Sequence, residues 1–434
     1  MSASAMTLGV DFGTTNTVVS LLGGGGEAEL LRFNFDGQEL TPFRSCLSFG
    51  GDESAPGSRL VEAGPWAIDA YLEDPGATRF IQSFKSFAAS ATFSETTILG
   101  RRYRFEDLLS TFLLRARAHA GAAMGGTPER LIVGRPVRFA GAYPDPALAL
   151  QRYETAFRRL GFADIYYAYE PVAAAFFFAR GIDADATALV GDFGGGTSDF
   201  SIVRFTRRRG VLSSKALGQA GVGVAGDAFD YRLIDQLVSP ALGKGSAYRD
   251  FDNTAPIPVR YYASFARWDQ LALMRATRDM SDIRGLVRKA LEPEKIARLV
   301  EFLEGEYGYL LYQSISRLKE ALSVQPSARF AFHAGDIALE ADVERADFER
   351  WIARDLAAID AAVDEALASA KLKPAAIDQV FLTGGSSFVP AVRALFEQRF
   401  GPEKISTGAE LESIAAGLAL IGGEVDLTPW CERA

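Results

Sequence analysis

Two short segments constrain this chain more than anything else in its 434 residues. Near the N-terminus, GVDFGTTNTVV (residues 9–19) brings an apolar run up to Asp11, turns through Gly13, Thr14 and Thr15, and leaves on a second β-branched run. At 188–203, ALVGDFGGGTSDFSIV repeats that order around Asp192, 181 positions later. An apolar strand, an aspartate, a Gly/Thr turn and a further strand together predict a hairpin. Two such hairpins a domain's length apart predict two related lobes.

The chemistry of such a turn is restricted. Glycines bring backbone N–H groups close to a ligand, and consecutive N–H groups form an anion nest suited to phosphate. An aspartate at the head of the turn repels phosphate, so it must act through a cation. Mg²⁺ held by one or two carboxylates, waters and phosphate oxygens satisfies both. A rival motif, GVGVAG (221–226), fits G-x-G-x-x-G but lacks the strand–turn–helix setting of a dinucleotide site. It is read as a loop approaching the same phosphates.

Composition narrows the alternatives. With 46 basic and 55 acidic residues the net charge is −9, which disfavours nucleic acid and anionic membranes. The run Arg207, Arg208, Arg209 is read as a solvated strand end. Two histidines and two cysteines leave no Cys/His zinc site, disulfide framework or histidine-based hydrolase. No P-loop and no G-x-S-x-G elbow is present. No signal peptide or membrane span is visible, so a cytoplasmic setting is expected.

Strands alternate with helices, which favours α/β architecture. Helices are expected over 105–120, 147–160 and from Glu170 onward, with strands at 131–136 and 165–169. Residues 23–26 form a hairpin tip. Residues 231–300 are expected to be helix-rich, an apolar stripe from Ile296 to Leu322 is interrupted by Gly305 and Gly308, and one long amphipathic helix is expected over 343–370. Gln379–Thr383 predicts a strand, 384–387 a loop, and Pro390 the start of another helix.

The motifs, taken together and in order, resemble the 70-kDa heat shock protein (DnaK-type) chaperones of the actin-like ATPase superfamily. GVDFGTTNTVV and GDFGGGTSDFSIV resemble the two phosphate motifs, LTGGSSFVP (382–390) the adenosine motif, and EPVAAA (170–175) the connecting motif. GRPVRF (134–139), AGDAFD (225–230) and RLKEALS (317–323) also match, and the resemblance spans residues 7 to about 422. The pattern is most similar to the short, YegD-like members. It implies two duplicated ribonuclease-H-like lobes around a central nucleotide cleft: lobe I over 1–182 with an insert at about 37–105, lobe II over 183–424 with a helical insert at about 227–315, and a linker-like tail at 425–434 without a peptide-binding domain.

The resemblance also implies residue roles. Asp11 and Asp192 hold Mg²⁺ through waters. Gly13, Thr14, Thr15 and Asn16 bind phosphates from one lobe, and Gly194, Gly195, Gly196 and Thr197 from the other. Glu170 and Asp199 place the metal shell and the attacking water, and Lys85 stabilises the terminal phosphate. Pro136 with Glu170 resembles the family's switch, with Arg152 a possible third member. On the adenosine side Gly226, Lys319, Ser323, Gly384, Gly385 and Ser386 match. Ser316 stands where an acidic ribose ligand is usual, and Glu320 and Phe388 stand where two arginines usually sandwich adenine. The implied function is an ATP-binding, slowly hydrolysing chaperone-like monomer using ATP/ADP and Mg²⁺, with a co-chaperone, exchange factor or client as partner. The alternatives are a sugar or acid kinase of the same superfamily, or an actin-like filament protein.

Overall fold

The structure is a computed structural model that describes residues 6–51, 59–74, 77–121, 128–141, 143–180, 184–208, 211–266, 271, 274, 277–406 and 412–434. Arg209 and Gly210 lie outside the described residues. The chain divides into two compact units: one of Met1–Gly223, Ile359–Ser387 and Ala394–Ala434, the other of Val224–Ala358 and Phe388–Arg393.

The first unit carries two sheets of the same design. In one, Thr7–Phe12 pairs antiparallel with Asn16–Leu22 and parallel with Arg130–Arg135. Ala28–Leu30 extends the antiparallel side and Asp164–Tyr169 the parallel side. In the other, Ala186–Phe193 pairs antiparallel with Ser198–Arg208 and parallel with Gln379–Thr383. Val211–Val222 and Ile405–Ser406 extend it in the same two senses. Over these five strands the order and the sign of each pairing match, as two copies of one supersecondary unit would.

Alternation along the strands sorts the side chains. Asp11 and Asp192 sit at corresponding places, and the next residue in each, Phe12 or Phe193, is buried. Phe12 packs at ring-centroid distances of 5.4 Å on Phe84 and 6.0 Å on Tyr153. Phe193 packs at 5.9 Å on Phe396. Each aspartate is thus held above an aromatic anchor.

Helices Glu170–Ala179 and Ser413–Ile421 cross against each other, and glycine permits it. A Cβ on Gly417 would lie 1.9 Å from the Ala173 carbonyl oxygen. Any side chain there would push away the helix that begins with Glu170.

The C-terminal segment is part of this unit. Trp430 is buried and meets Phe176 edge-on at 4.5 Å. Glu432–Arg433 then adds antiparallel to the edge strand Asp164–Tyr169. A linker-like composition did not foretell that docking.

In the second unit, helices Pro293–Glu304 and Gly308–Val324 divide the expected stripe at its glycines. Phe302 stacks on Phe265 at 5.3 Å and meets Phe332 at 6.0 Å. Arg232 makes a double contact with the buried Asp355 carboxylate at 2.8 and 3.0 Å. One expectation holds apart from a hairpin, and one fails. The segment expected to be helix-rich contains a hairpin, Ala247–Asp250 with Asn253–Pro256, which is largely exposed and so carries no apolar alternation. The single helix over 343–370 is instead the end of a strand, Ile337–Glu344, followed by helices Arg345–Trp351 and Ala353–Ala370. Val343 points to the core from a strand, and Phe348 and Ile352 do so from across a helix break, so apolar spacing ran through three elements.

Candidate nucleotide site

The two aspartate hairpins turn in the same way. The Gly13 N–H donates to the Asn16 carbonyl at 2.9 Å, and the Gly194 N–H donates to the Thr197 carbonyl at 2.9 Å. In register, Asp11 stands opposite Val18 and Asp192 opposite Asp199. The first position is apolar and the second acidic, so the two hairpins differ at that point. Both turns line one pocket within the first unit. Its wall includes Asp11, Gly13, Thr14, Thr15, Asn16, Asp192, Gly194, Gly195, Gly196 and Thr197, together with Lys85, Pro136, Arg138, Glu170, Thr383 and Gly384.

Lys85 is placed by its neighbours. It lies in the 3₁₀ turn Phe84–Phe87, whose first residue is locked into the aromatic core against Phe12. Arg152 holds the following segment by donating to the carbonyls of Phe87 and Ala88 at 2.9 Å, Ser90 at 3.1 Å and Phe93 at 2.6 Å. The Lys85 Nζ donates to Glu170 Oε1 at 2.8 Å, with both side chains nearly buried. Burial pulls the ammonium down, but the Glu170 carboxylate, with Tyr153 and Asp11, outweighs this and holds it above the usual lysine range.

The carboxylates are crowded and dry. Burial raises Asp11 from its usual 3.8 to about 7, with Glu170 adding repulsion and Lys85 partly offsetting it. Burial also raises Asp192 well above its usual range, with Glu170, Asp11 and Asp199 adding to the effect. Asp199 rises to about 7 from burial and Glu170, although it accepts from the Thr197 hydroxyl at 3.0 Å and the Arg138 N–H at 3.3 Å.

These shifts fix a pH dependence. A raised folded-state value means the neutral acid is favoured in the fold. Its stabilisation is complete below about 3.8 and is lost as pH rises through about 7. Ligand-free protein should therefore lose melting temperature between pH 5.5 and about 8, and Asp199→Asn should flatten that fall. A variant with the wild-type slope would contradict the assignment.

The second unit holds the remaining residues. Gly226 opens the helix Gly226–Leu237. Lys319 pairs with Asp230 at 2.7 Å, Ser316 donates to Glu320 at 3.2 Å, and the Ser323 hydroxyl donates to the Lys319 carbonyl at 2.9 Å. Phe388 is half exposed. Gly385 and Ser386 continue the first unit's turn after Gly384, with Ser386 buried.

Arg138 was not singled out from the sequence. Its signal was present in GRPVRF, where a basic residue follows the strand that ends at the pocket. Among the described residues no three carboxylates, histidines or cysteines form a metal cage of their own. Nor is any described helix long and apolar enough to cross a membrane.

Paired sheets of one topology, with matched aspartate turns opening on one pocket, define the actin-like ATPase fold. Residues 309–427 match the family model described as Hsp70 protein. Over 425 residues, the chain is 28% identical to the chaperone protein DnaK of two Halobacterium salinarum strains, covering 97% of this chain and 56% of each relative. The chain is similar to Hsp70 proteins: to the family model over residues 309–427 and to the DnaK relatives over nearly its whole length. It spans a little over half the length of those curated relatives.

Proposed function

We propose that this chain binds Mg·ATP in the pocket and hydrolyses it slowly to ADP and phosphate, as the nucleotide-driven part of a chaperone-like protein. The observation that carries this reading is the pair of equivalently bonded aspartate turns lining one pocket with the Lys85–Glu170 pair. Lobes divided near residue 182 would close on nucleotide. A co-chaperone, exchange factor or client would sense the change only by binding one state better than the other.

The donor set fits magnesium. Asp11 and Asp192 line the pocket at unfavourable cost to their charged forms, and a divalent cation removes that cost. They would hold the ion with waters and phosphate oxygens, and the ion would neutralise charge on the phosphates. The chain's own residues do the rest. Gly13–Asn16 and Gly194–Thr197 present backbone and hydroxyl donors to phosphate oxygens. Lys85 brings a held cation to the transferring group. Glu170 and Asp199 orient the attacking water. Phe388, half exposed, offers a ring on which a base can stack.

Thermal melting tests the binding part. Saturating Mg·ATP should stabilise the protein by about 2.7 kcal/mol at a hundredfold excess over Kd. An unchanged melting temperature would remove the nucleotide reading.

A further inference from the structure

We propose that Arg138 supplies a second cation to the terminal phosphate of the bound nucleotide, so that the pocket separates ATP from ADP by charge; this rests on the nucleotide reading above. Arg138 lines the same pocket as Lys85, but the two cations are placed differently. Lys85 is nearly buried and engaged at 2.8 Å by Glu170, so much of its charge is answered inside the protein. Arg138 is exposed, and among the described residues its guanidinium has no ion-pair partner. Only its backbone is tied down, by the N–H that donates to Asp199 Oδ1 at 3.3 Å.

That anchor selects the phosphate. Asp199 is the carboxylate given the placement of attacking water, and Thr197 bonds to it at 3.0 Å. A side chain rising from this anchor stands at the hydrolytic end of the pocket. Gly221, in the GVGVAG segment, keeps the space open. A Cβ there would lie 2.7 Å from Asp199 Oδ1 and 3.7 Å from the Arg138 Cβ. The planar guanidinium can donate two parallel N–H bonds to a pair of phosphate oxygens, a fixed fork that the lysine ammonium lacks. ATP places a charged γ-phosphate at that end of the pocket and ADP, one phosphoryl group shorter, does not, so a cation offered there discriminates between them.

Calorimetric titration of the whole chain with Mg·ATP and with Mg·ADP tests this. Arg138→Ala should weaken ATP binding at least tenfold while leaving ADP binding within twofold of wild type. Arg138→Lys should recover part of the loss. A merely structural role would weaken both nucleotides together. An unchanged ATP-to-ADP ratio in Arg138→Ala, with wild type binding both, overturns the Arg138 assignment and leaves the nucleotide reading standing. Wild type that binds neither overturns the nucleotide reading and this inference with it.

Discussion

Replacing Lys85 with alanine should slow ATP hydrolysis by about a hundredfold or more and lower folding stability by about 3–5 kcal/mol. The rate loss follows from removing the one pocket cation that the fold holds in a set position. Phe84 and Arg152 fix its backbone, and Glu170 fixes its ammonium. The stability loss follows from what remains. Glu170 is 5% exposed and would be left as a buried, unpaired carboxylate beside Asp11, Asp192 and Asp199. Lys85→Met with Glu170→Gln removes both charges at similar volume. That double variant should recover most of the stability and none of the turnover. Single-turnover kinetics and chemical denaturation measure the two effects, and a fully active Lys85→Ala would refute the role.

Asp192→Asn should separate activity from stability in the opposite direction. Mg-dependent turnover should fall by about a hundredfold or more, because the amide is a poor ligand for a magnesium shell. The ligand-free protein should nevertheless melt higher than wild type at pH 8. Burial and three neighbouring carboxylates disfavour charge on Asp192, and the neutral isostere escapes that penalty. The stabilisation should shrink as pH falls and wild-type Asp192 becomes protonated. A purely architectural aspartate would show the reverse, with a destabilised variant. Differential scanning at several pH values, alongside phosphate release, distinguishes the two.

Much of the site was legible because its chemistry is local in sequence. Asp11 with Gly13–Asn16 and Asp192 with Gly194–Thr197 each lie within a few residues on one hairpin, and period-two alternation marks the strands. The matched turn bonds at Gly13 and Gly194 give that repetition a physical form. Lys85 was reachable only through resemblance. Its position depends on Phe12, Arg152 and Glu170, each more than sixty residues away, and no local pattern encodes such contacts. Arg138 was passed over because a lone arginine after a strand is ordinary until the pocket is seen. The misreading over 343–370 has a similar origin. Val343 faces inward every second residue and Phe348 every third or fourth, and at a junction these periods blend. The docking of Trp430 on Phe176 had no sequence signal beyond one aromatic in a polar tail.

The most direct test of the central claim is a single-turnover reaction of the purified chain with Mg·ATP and no added acceptor, followed by the appearance of free phosphate. Bound ATP should convert slowly to ADP and phosphate, and this conversion should be strongly depressed in Asp192→Asn. ATP that stays intact until a sugar or acid acceptor is added would contradict hydrolysis as the native reaction and assign the pocket to a kinase.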